Sequence, residues 1–301
     1  MKSDTSQILS AFESEVQHDH GDRPLMDGDR ARIWRHAGLD GVELFQGSYQ
    51  NYEFARHFHR VPAIGVVDRG AMSFYCRSAN HVLGRGTVLL LNPGETHAPS
   101  PADSLGWSFR VFYLDKTFLK SMASDASMQT LRFKQPFVED RELASSLFRL
   151  HVALERDGDR LHFESLLCSI FSRAVERYSE SVNRDAEPEL DKTSIGTALQ
   201  YMEANYRQNL SLAELAALSP YGASHFLRMF KEIVGLTPRD YLTQFRIEMA
   251  TSLLQLGMPL VDVAYMAGFT DQSHFTKKFK RVLGVTPGQY MFMAKTSGTS
   301  R

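Results

Sequence analysis

Three histidines in the first third of the chain could bind a metal ion or a small molecule. His57 and His59 flank one phenylalanine, and His97 follows the turn Pro93-Gly94. If His57-Phe58-His59 is part of a strand, the two imidazoles of the pair lie on the same face of that strand. Three imidazoles can hold zinc or iron and leave one coordination position open. These residue types alone leave a metal site and a hydrogen-bonding pocket both open.

A second set of functional side chains lies in a sequence that the chain contains twice. Residues 224–242 (SHFLRMFKEIVGLTPRDYL) and 273–291 (SHFTKKFKRVLGVTPGQYM) are identical at 9 of 19 positions. Arg and Lys can donate hydrogen bonds to guanine, Gln can pair with adenine, and Thr or Leu can contact the thymine methyl group. The candidate DNA contacts are Ser224, His225, Leu227, Arg228 and Lys231 in the first copy, and Gln272, Ser273, Thr276, Lys277 and Lys280 in the second.

Each copy is predicted to form a helix-turn-helix unit, over about 211–234 and 259–283. A short amphipathic helix, a turn and a longer helix follow one another, and the second helix of such a unit can enter a DNA major groove. The spacing of apolar residues predicts one buried face on each longer helix, made by Phe226, Phe230 and Ile233 and by Phe275, Phe279 and Val282. A helical bundle with a solvated basic face is the alternative, but two matched copies favour DNA binding.

A long helix is predicted between the two units. Thr237 suits its N-cap, Pro238 its first turn, and Gly257 its end. About 19 residues span roughly 28 Å. Because successive major grooves on one face of DNA lie about 34 Å apart, one chain could place both units in adjacent grooves.

Residues of about 193–292 resemble the DNA-binding domain of AraC/XylS-type transcriptional regulators. The second unit carries the more specific pattern, with Val263-Ala264, Gly268-Phe269, Ser273-His274-Phe275, Phe279-Lys280, Gly284-Val285-Thr286-Pro287 and Tyr290. The resemblance implies that Ser224, Leu227, Arg228, Gln272, Ser273 and Lys277 contact bases. It also implies a transcription activator that binds promoter DNA and contacts RNA polymerase, although repression stays open.

The N-terminal half is predicted to be a small β-barrel or sandwich. The expected strands are Val42–Ser48, Asn51–Phe58, Ala63–Asp68, Ala71–Arg77, Thr87–Leu91 and Ser108–Leu114, with turns such as Arg69-Gly70 between them. Residues of about 40–115 resemble a cupin, the barrel that AraC-type regulators commonly carry. Metal-binding cupins usually add a Glu soon after the paired histidines, whereas this chain has Arg60 to Ile64 there and Glu95 has the wrong spacing. We therefore predict no metal and no cofactor, with a cupin metalloenzyme or metal sensor as the alternative.

The barrel is predicted to bind a small-molecule effector, because barrel mouths are common ligand sites. The candidate lining residues are His57, His59, Tyr75, His97, Trp107 and Arg110, with Arg56 also available for an anion. Their inward direction depends on strand register, since a slip of one residue reverses every side chain. Filling of the barrel core by these side chains without any ligand is the alternative, which would make the chain a constitutive DNA-binding protein.

Residues 137–181 change to a helical period and predict a helical hairpin. Its two apolar stripes are Leu143, Leu147, Leu150 and Leu154, and Phe163, Leu166, Leu167, Ile170, Phe171 and Val175. The hairpin could pack on the barrel, form a homodimer contact, or do both. The predicted domain order is a flexible N-terminus (1–30), the barrel domain (31–180), a polar linker (181–192) and the DNA-binding domain (193–295). The fold class is thus α+β with two domains.

Composition is that of an ordinary globular protein, with 43% hydrophobic and 23% charged residues. The net charge of −1 conceals an asymmetry: residues 190–295 carry 11 Lys and Arg against 8 Asp and Glu, whereas residues 1–189 carry 22 against 27. Two cysteines, the absence of a signal-peptide pattern and the absence of a long apolar run predict a cytoplasmic protein without membrane contact. We find no phosphate-binding loop and no nucleophile motif, so an enzyme is not predicted.

Overall fold

The computed structural model describes residues 29–37, 39–122, 132–156, 158–180 and 194–296. The predicted linker lies outside the described residues, and so does the predicted flexible N-terminus apart from residues 29 and 30. The strands are β1 (Arg30–Trp34), β2 (Val42–Tyr49), β3 (Ala63–Cys76), β4 (Ala79–Gly84), β5 (Thr87–Leu91), β6 (His97–Pro101), β7 (Trp107–Leu114), β8 (Arg132–Phe133), β9 (Phe137–Glu139) and β10 (Ser179–Glu180). The helices are α1 (Lys116–Met122), α2 (Arg141–Ala153), α3 (Arg160–Tyr178), α4 (Ser194–Ala204), α5 (Leu212–Ala216), α6 (Ala223–Val234), α7 (Pro238–Gln255), α8 (Leu260–Met266), α9 (Gln272–Leu283) and α10 (Pro287–Thr296).

The N-terminal domain is built around the long strand β3. Its first half pairs with β5 and β7, and its second half pairs with β4 and β6, so one strand belongs to both layers of the barrel. The register shifts between Val67 and Arg69, and Gly70 has a φ of 65°. The predicted tight turn at Arg69-Gly70 is therefore wrong: a β-bulge bends the strand there without reversing it.

Residues 50–62 form a loop, and the predicted strand Asn51–Phe58 is wrong. The loop pairs with a strand through one isolated bridge, between His57 and His97. The backbone N–H of each residue donates to the carbonyl of the other, at 2.9 and 2.8 Å. The Ala55 N–H instead donates to the carbonyl of Arg281 at 3.2 Å, in the C-terminal domain. The loop thus leaves the sheet because its backbone has partners elsewhere.

The predicted helical hairpin is formed by α2 and α3, and it packs on the outer face of the barrel. Its first stripe is fully buried: Leu143, Leu147, Leu150 and Leu154 are at most 3% exposed. In α3 most of the predicted stripe is also buried, but Leu166 is 39% exposed. The hairpin therefore packs on the sheet along one face and leaves part of α3 open to solvent.

The C-terminal domain holds the two predicted helix-turn-helix units, α5–α6 and α8–α9, joined by α7. Thr237 caps α7 by accepting a hydrogen bond from the Asp240 N–H at 3.1 Å, and Pro238 begins the helix. The apolar faces of α6 and α9 are buried as predicted except for Ile233, which is 43% exposed. The prediction for Ile233 is wrong because Leu236, just beyond the helix, enters the core instead. Within the described ranges no helix is both long and apolar enough to cross a membrane.

Candidate DNA-binding surface and effector cavity

The two recognition helices, α6 and α9, present the predicted DNA contacts to solvent. Within these helices Leu227 and Thr276 are half-buried, and the other eight candidates are exposed. The exposed candidates are Ser224, His225, Arg228, Lys231, Gln272, Ser273, Lys277 and Lys280. Each helix is anchored by two buried phenylalanines of its repeat, so the polar face points away from the domain core.

The C-terminal end of each recognition helix meets the barrel through an equivalent glycine. Gly235 and Gly284 cap α6 and α9 in the left-handed region, with φ of 77° and 76°. A Cβ atom on Gly235 would lie 3.1 Å from Thr96, and one on Gly284 would lie 3.0 Å from Phe54. Both glycines are therefore required by backbone conformation and by close contact with the barrel.

Groups of the barrel domain also donate hydrogen bonds to the last carbonyls of both helices. The Thr96 hydroxyl donates to the Val234 carbonyl at 2.7 Å, and the Tyr52 hydroxyl donates to the Lys280 carbonyl at 2.5 Å. The Val234 carbonyl at the end of α6 thereby gains a partner, whereas the Lys280 carbonyl, which already accepts from the Gly284 N–H at 2.7 Å, gains a second one. The 50–62 loop and the turn before β6 thus hold α6 and α9 in place.

Helix α7 forms a second contact with the same loop. The Gln244 side-chain amide donates to the Phe58 carbonyl at 3.1 Å, and the Arg60 N–H donates to Glu248 Oε1 at 3.2 Å. The Phe58 ring stacks on Tyr241, with ring centroids 5.3 Å apart, inside the core of the first helix-turn-helix unit. A side chain of the barrel domain therefore completes the core of the DNA-binding domain.

A cavity of about 240 Å³ lies between the barrel and α7. Its walls are mostly apolar, with Phe54, Phe74, Phe109 and Val111 from the barrel and Ile247 from α7 among them. Its polar lining comes from both domains. The barrel side contributes His57, His59, His97, Tyr113, Glu43, Asp115, Arg35 and Arg60, and the other side contributes Gln244, Glu248, Thr251, Ser252, Gln255 and Tyr290.

The three histidines predicted from the sequence meet in this cavity. The ring centroids of His57 and His97 lie 4.3 Å apart, and that of His59 lies 5.1 Å from each. Burial lowers the pKa of His57 to about 3 and that of His97 to about 4, and it lowers the pKa of His59 well below its usual value. All three imidazoles are therefore neutral near neutral pH.

Two acceptor atoms contributed by α7 line the cavity. Gln244 Oε1 and Glu248 Oε2 are buried, and neither has a hydrogen-bond partner among the described residues. Burial raises the pKa of Glu248 to about 7, against the opposing effect of Arg60. An uncompensated buried acceptor is costly, so this wall of the cavity favours a ligand that carries hydrogen-bond donors.

The remaining predicted effector residues do not line the cavity. Arg110 is on the opposite face of β7, where it pairs with Asp68 at 2.8 Å and Glu155 at 2.5 Å. Trp107 is fully buried against Phe109. Tyr75 lies under the Arg56 guanidinium, 3.9 Å from the ring centroid.

Strand register explains the position of Arg110. Side chains alternate along β7, so Phe109, Val111 and Tyr113 face the cavity while Arg110 faces α2. Sequence reasoning missed Gln244 and Glu248 altogether. The sequence pattern that could have revealed them is a polar residue at every third or fourth position of α7, on a face that also carries the buried Tyr241 and Ile247.

The fold and both sites define a DNA-binding transcription regulator with an effector-binding domain. Residues 41–171 match the family model described as AraC-like ligand binding domain, and residues 212–292 match a helix-turn-helix domain model. The chain is 30% identical over 231 residues to the uncharacterized HTH-type transcriptional regulator YbfI of Bacillus subtilis, covering 76% of this chain and 83% of that protein. The chain belongs to the AraC family of transcriptional regulators.

Two further relatives show how widely the likeness extends. The HTH-type transcriptional activator RhaS of Klebsiella pneumoniae is 24% identical over 73% of this chain and 81% of that protein. The crystal structure of unsaturated fatty acid-bound ToxT from Vibrio cholerae superposes with a TM-score of 0.51 at 16% identity, covering 90% of this chain and 97% of that chain. The whole two-domain fold is thus shared.

Proposed function

We propose that this chain is a transcription activator whose effector binds in the cavity between the barrel and α7 and thereby changes how α6 and α9 are held. One observation carries the proposal: the 50–62 loop lines the cavity and also donates to the end of α9, through Tyr52 and Ala55. A ligand that moves this loop changes the support of a recognition helix directly. Coupling between two sites needs such a shared element.

The length of α7 supports placement of the two recognition helices in adjacent major grooves. Helix α7 has 18 residues, or about 27 Å along its axis. Successive major grooves on one face of DNA lie roughly 34 Å apart. The width of the helices at the two ends of α7 adds to its length and brings the total closer to this distance. Arg228 and Lys277 occupy matching positions in the two repeats and are assigned to base contacts.

The proposed effector is a small molecule with an apolar body and hydrogen-bond donors at one end. The apolar walls favour the body, and the unpartnered Gln244 Oε1 and Glu248 Oε2 favour donors. ToxT bound to an unsaturated fatty acid is a protein of this fold with a small organic molecule bound. Because the cavity is lined by both domains, a ligand bound in it would contact both, which supports a regulatory role without catalysis.

The proposed assembly is a homodimer that contacts promoter DNA and RNA polymerase. We assign the dimer contact to the surface of α3 that carries Leu161 and Leu166, which are 70% and 39% exposed. An activator also has to reach RNA polymerase, so the polymerase is the remaining expected partner.

The test begins with selection of bound sequences from a random DNA pool by the purified full chain. Affinity for the selected site is then measured for Arg228→Ala and Lys277→Ala. Each variant is expected to lose about 1–3 kcal/mol of binding free energy while the fold is kept. Arg85→Ala, which removes the same charge from an exposed position on the barrel, is the matched control. Unchanged affinity in both recognition-helix variants would refute the assignment.

A further inference from the structure

We infer that His57, His59 and His97 bind a divalent first-row transition metal ion, and that this ion clamps together the two barrel segments that hold the recognition helices. Each histidine offers one ring nitrogen, and the three nitrogens lie within 4.8 Å of one another. A tetrahedral ion with bonds of 2.0–2.1 Å needs ligand atoms about 3.3 Å apart, so small side-chain rotations would complete the site.

Hydrogen bonds to the backbone prepare two of the three imidazoles for a metal. His57 Nδ1 lies 2.8 Å from the Ala55 carbonyl, and His97 Nδ1 lies 2.9 Å from the Glu95 carbonyl. A carbonyl can only accept, so each Nδ1 carries the proton and each Nε2 keeps a lone pair. This second hydrogen bond is the usual partner of a metal-bound histidine, because it fixes both tautomer and ring orientation.

The backbone fixes the positions of the same two residues. His57 and His97 form a closed pair of backbone hydrogen bonds across the bridge between the loop and β6. His59 is tied to the turn before β6, since its carbonyl accepts from the Gly94 N–H at 2.8 Å. The three ligands therefore come from two segments that are already joined.

Carboxyl groups that could balance the charge of the ion line the same cavity. They belong to Glu43, Asp115 and Glu248, beside the guanidinium groups of Arg35 and Arg60, and a divalent cation would favour their ionised forms. Three protein ligands leave the fourth tetrahedral position open towards the cavity, where water or an effector donor atom fits. Sequence reasoning set the metal aside for lack of a carboxylate ligand after the histidine pair, yet a three-histidine site does not require one.

The location of the site links it to DNA binding. One residue separates His57 from Ala55, which bonds to α9, and His97 directly follows Thr96, which bonds to α6. An ion between these segments would restrict their relative motion and so fix the support of both recognition helices. This link rests on the proposed function, whereas the metal site itself does not.

The experiment uses the full chain purified without a histidine tag, stripped with chelator and then equilibrated with Zn²⁺. Elemental analysis after gel filtration is expected to give about one zinc per chain, and Co²⁺ is expected to give the visible absorption of a tetrahedral site. His57→Ala and His97→Ala are expected to weaken zinc binding at least tenfold. His162→Ala, at an exposed position on α3, is the matched control and should retain full binding.

Less than a tenth of an equivalent of zinc on the wild-type chain would overturn the proposal, whether or not the variants fold. Full zinc binding that survives both substitutions would also overturn it. The link to DNA is measured separately, as affinity for a selected site with and without zinc. We expect at least a tenfold difference in the wild-type chain and none in His59→Gln. Equal affinities with one zinc bound would overturn the link alone, and the DNA contacts of Arg228 and Lys277 are tested independently of either result.

Discussion

Helix α7 places the carboxyl group of Glu248 against the barrel. Its Oε1 accepts from the Arg60 N–H, while its Oε2 is buried with no partner among the described residues. Burial raises its pKa from 4.5 to about 7, a further upward contribution comes from Glu203, and Arg60 acts in the opposite direction. The folded protein therefore prefers the protonated carboxyl.

The sign and size of the effect follow from this raised pKa. Protonated Glu248 contributes favourably to the free energy of unfolding. This contribution is complete below pH 4.5 and is lost as the pH rises through about 7. A difference of about 2.5 pKa units corresponds to about 3 kcal/mol, since one unit is about 1.4 kcal/mol. Glu248→Gln removes the ionisation and keeps an acceptor for Arg60. The variant should therefore gain stability relative to the wild type by about 2–3 kcal/mol between pH 5 and pH 8.

The assay is urea unfolding of the full chain at several pH values, followed by circular dichroism. Glu232→Gln removes a carboxylate from an exposed position of α6 and is the matched control. Its stability difference from the wild type should be nearly independent of pH in this range. If the difference between Glu248→Gln and the wild type also stays constant from pH 5 to pH 8, the buried carboxylate does not titrate as the geometry requires.

Two further predictions concern stability. Arg110→Ala should cost about 3–5 kcal/mol in urea unfolding, because it leaves Asp68 buried without its cation; a loss below 1 kcal/mol would show that the ion pair is not structural. Gly284→Ala should cost at least 1–2 kcal/mol, since alanine is strained at a φ of 76° and its Cβ would meet Phe54. Gly84→Ala, where no atom lies within 4 Å of the new Cβ, is its control, and equal melting temperatures for the two variants would contradict the close contact.

The C-terminal domain could be predicted from sequence because its signals are local. The repeat, the N-cap at Thr237 and the glycine at 257 each depend on neighbours within one or two helical turns. The exception, Ile233, lies in the last turn of α6, where Leu236 enters the core. Periodicity cannot show which of two nearby apolar residues a tertiary contact will select.

The 50–62 loop could not be predicted, because its pattern arises from contacts with another domain. Tyr52, Phe54 and Phe58 resemble the apolar positions of a strand with a period of two. In the structure Tyr52 contacts the end of α9, Phe54 packs beside Gly284, and Phe58 enters the core around Tyr241. An alternating pattern shows that one side of a segment is buried, but it does not show what that side is buried against. The pattern therefore predicted a sheet, whereas the segment packs at a domain interface.

The two helix-turn-helix units contain the same sequence repeat but are held by the barrel in different ways. The first unit takes Phe58 into its core and a hydrogen bond from Thr96, whereas the second receives hydrogen bonds from Tyr52 and Ala55. Similar repeats therefore receive unequal support from one loop and one turn. Under the proposed function, a change at the histidines, which lie on both segments, alters the orientation of one recognition helix relative to the other. Since adjacent major grooves require one fixed separation of the two helices, their relative orientation is the quantity through which the cavity could control DNA binding.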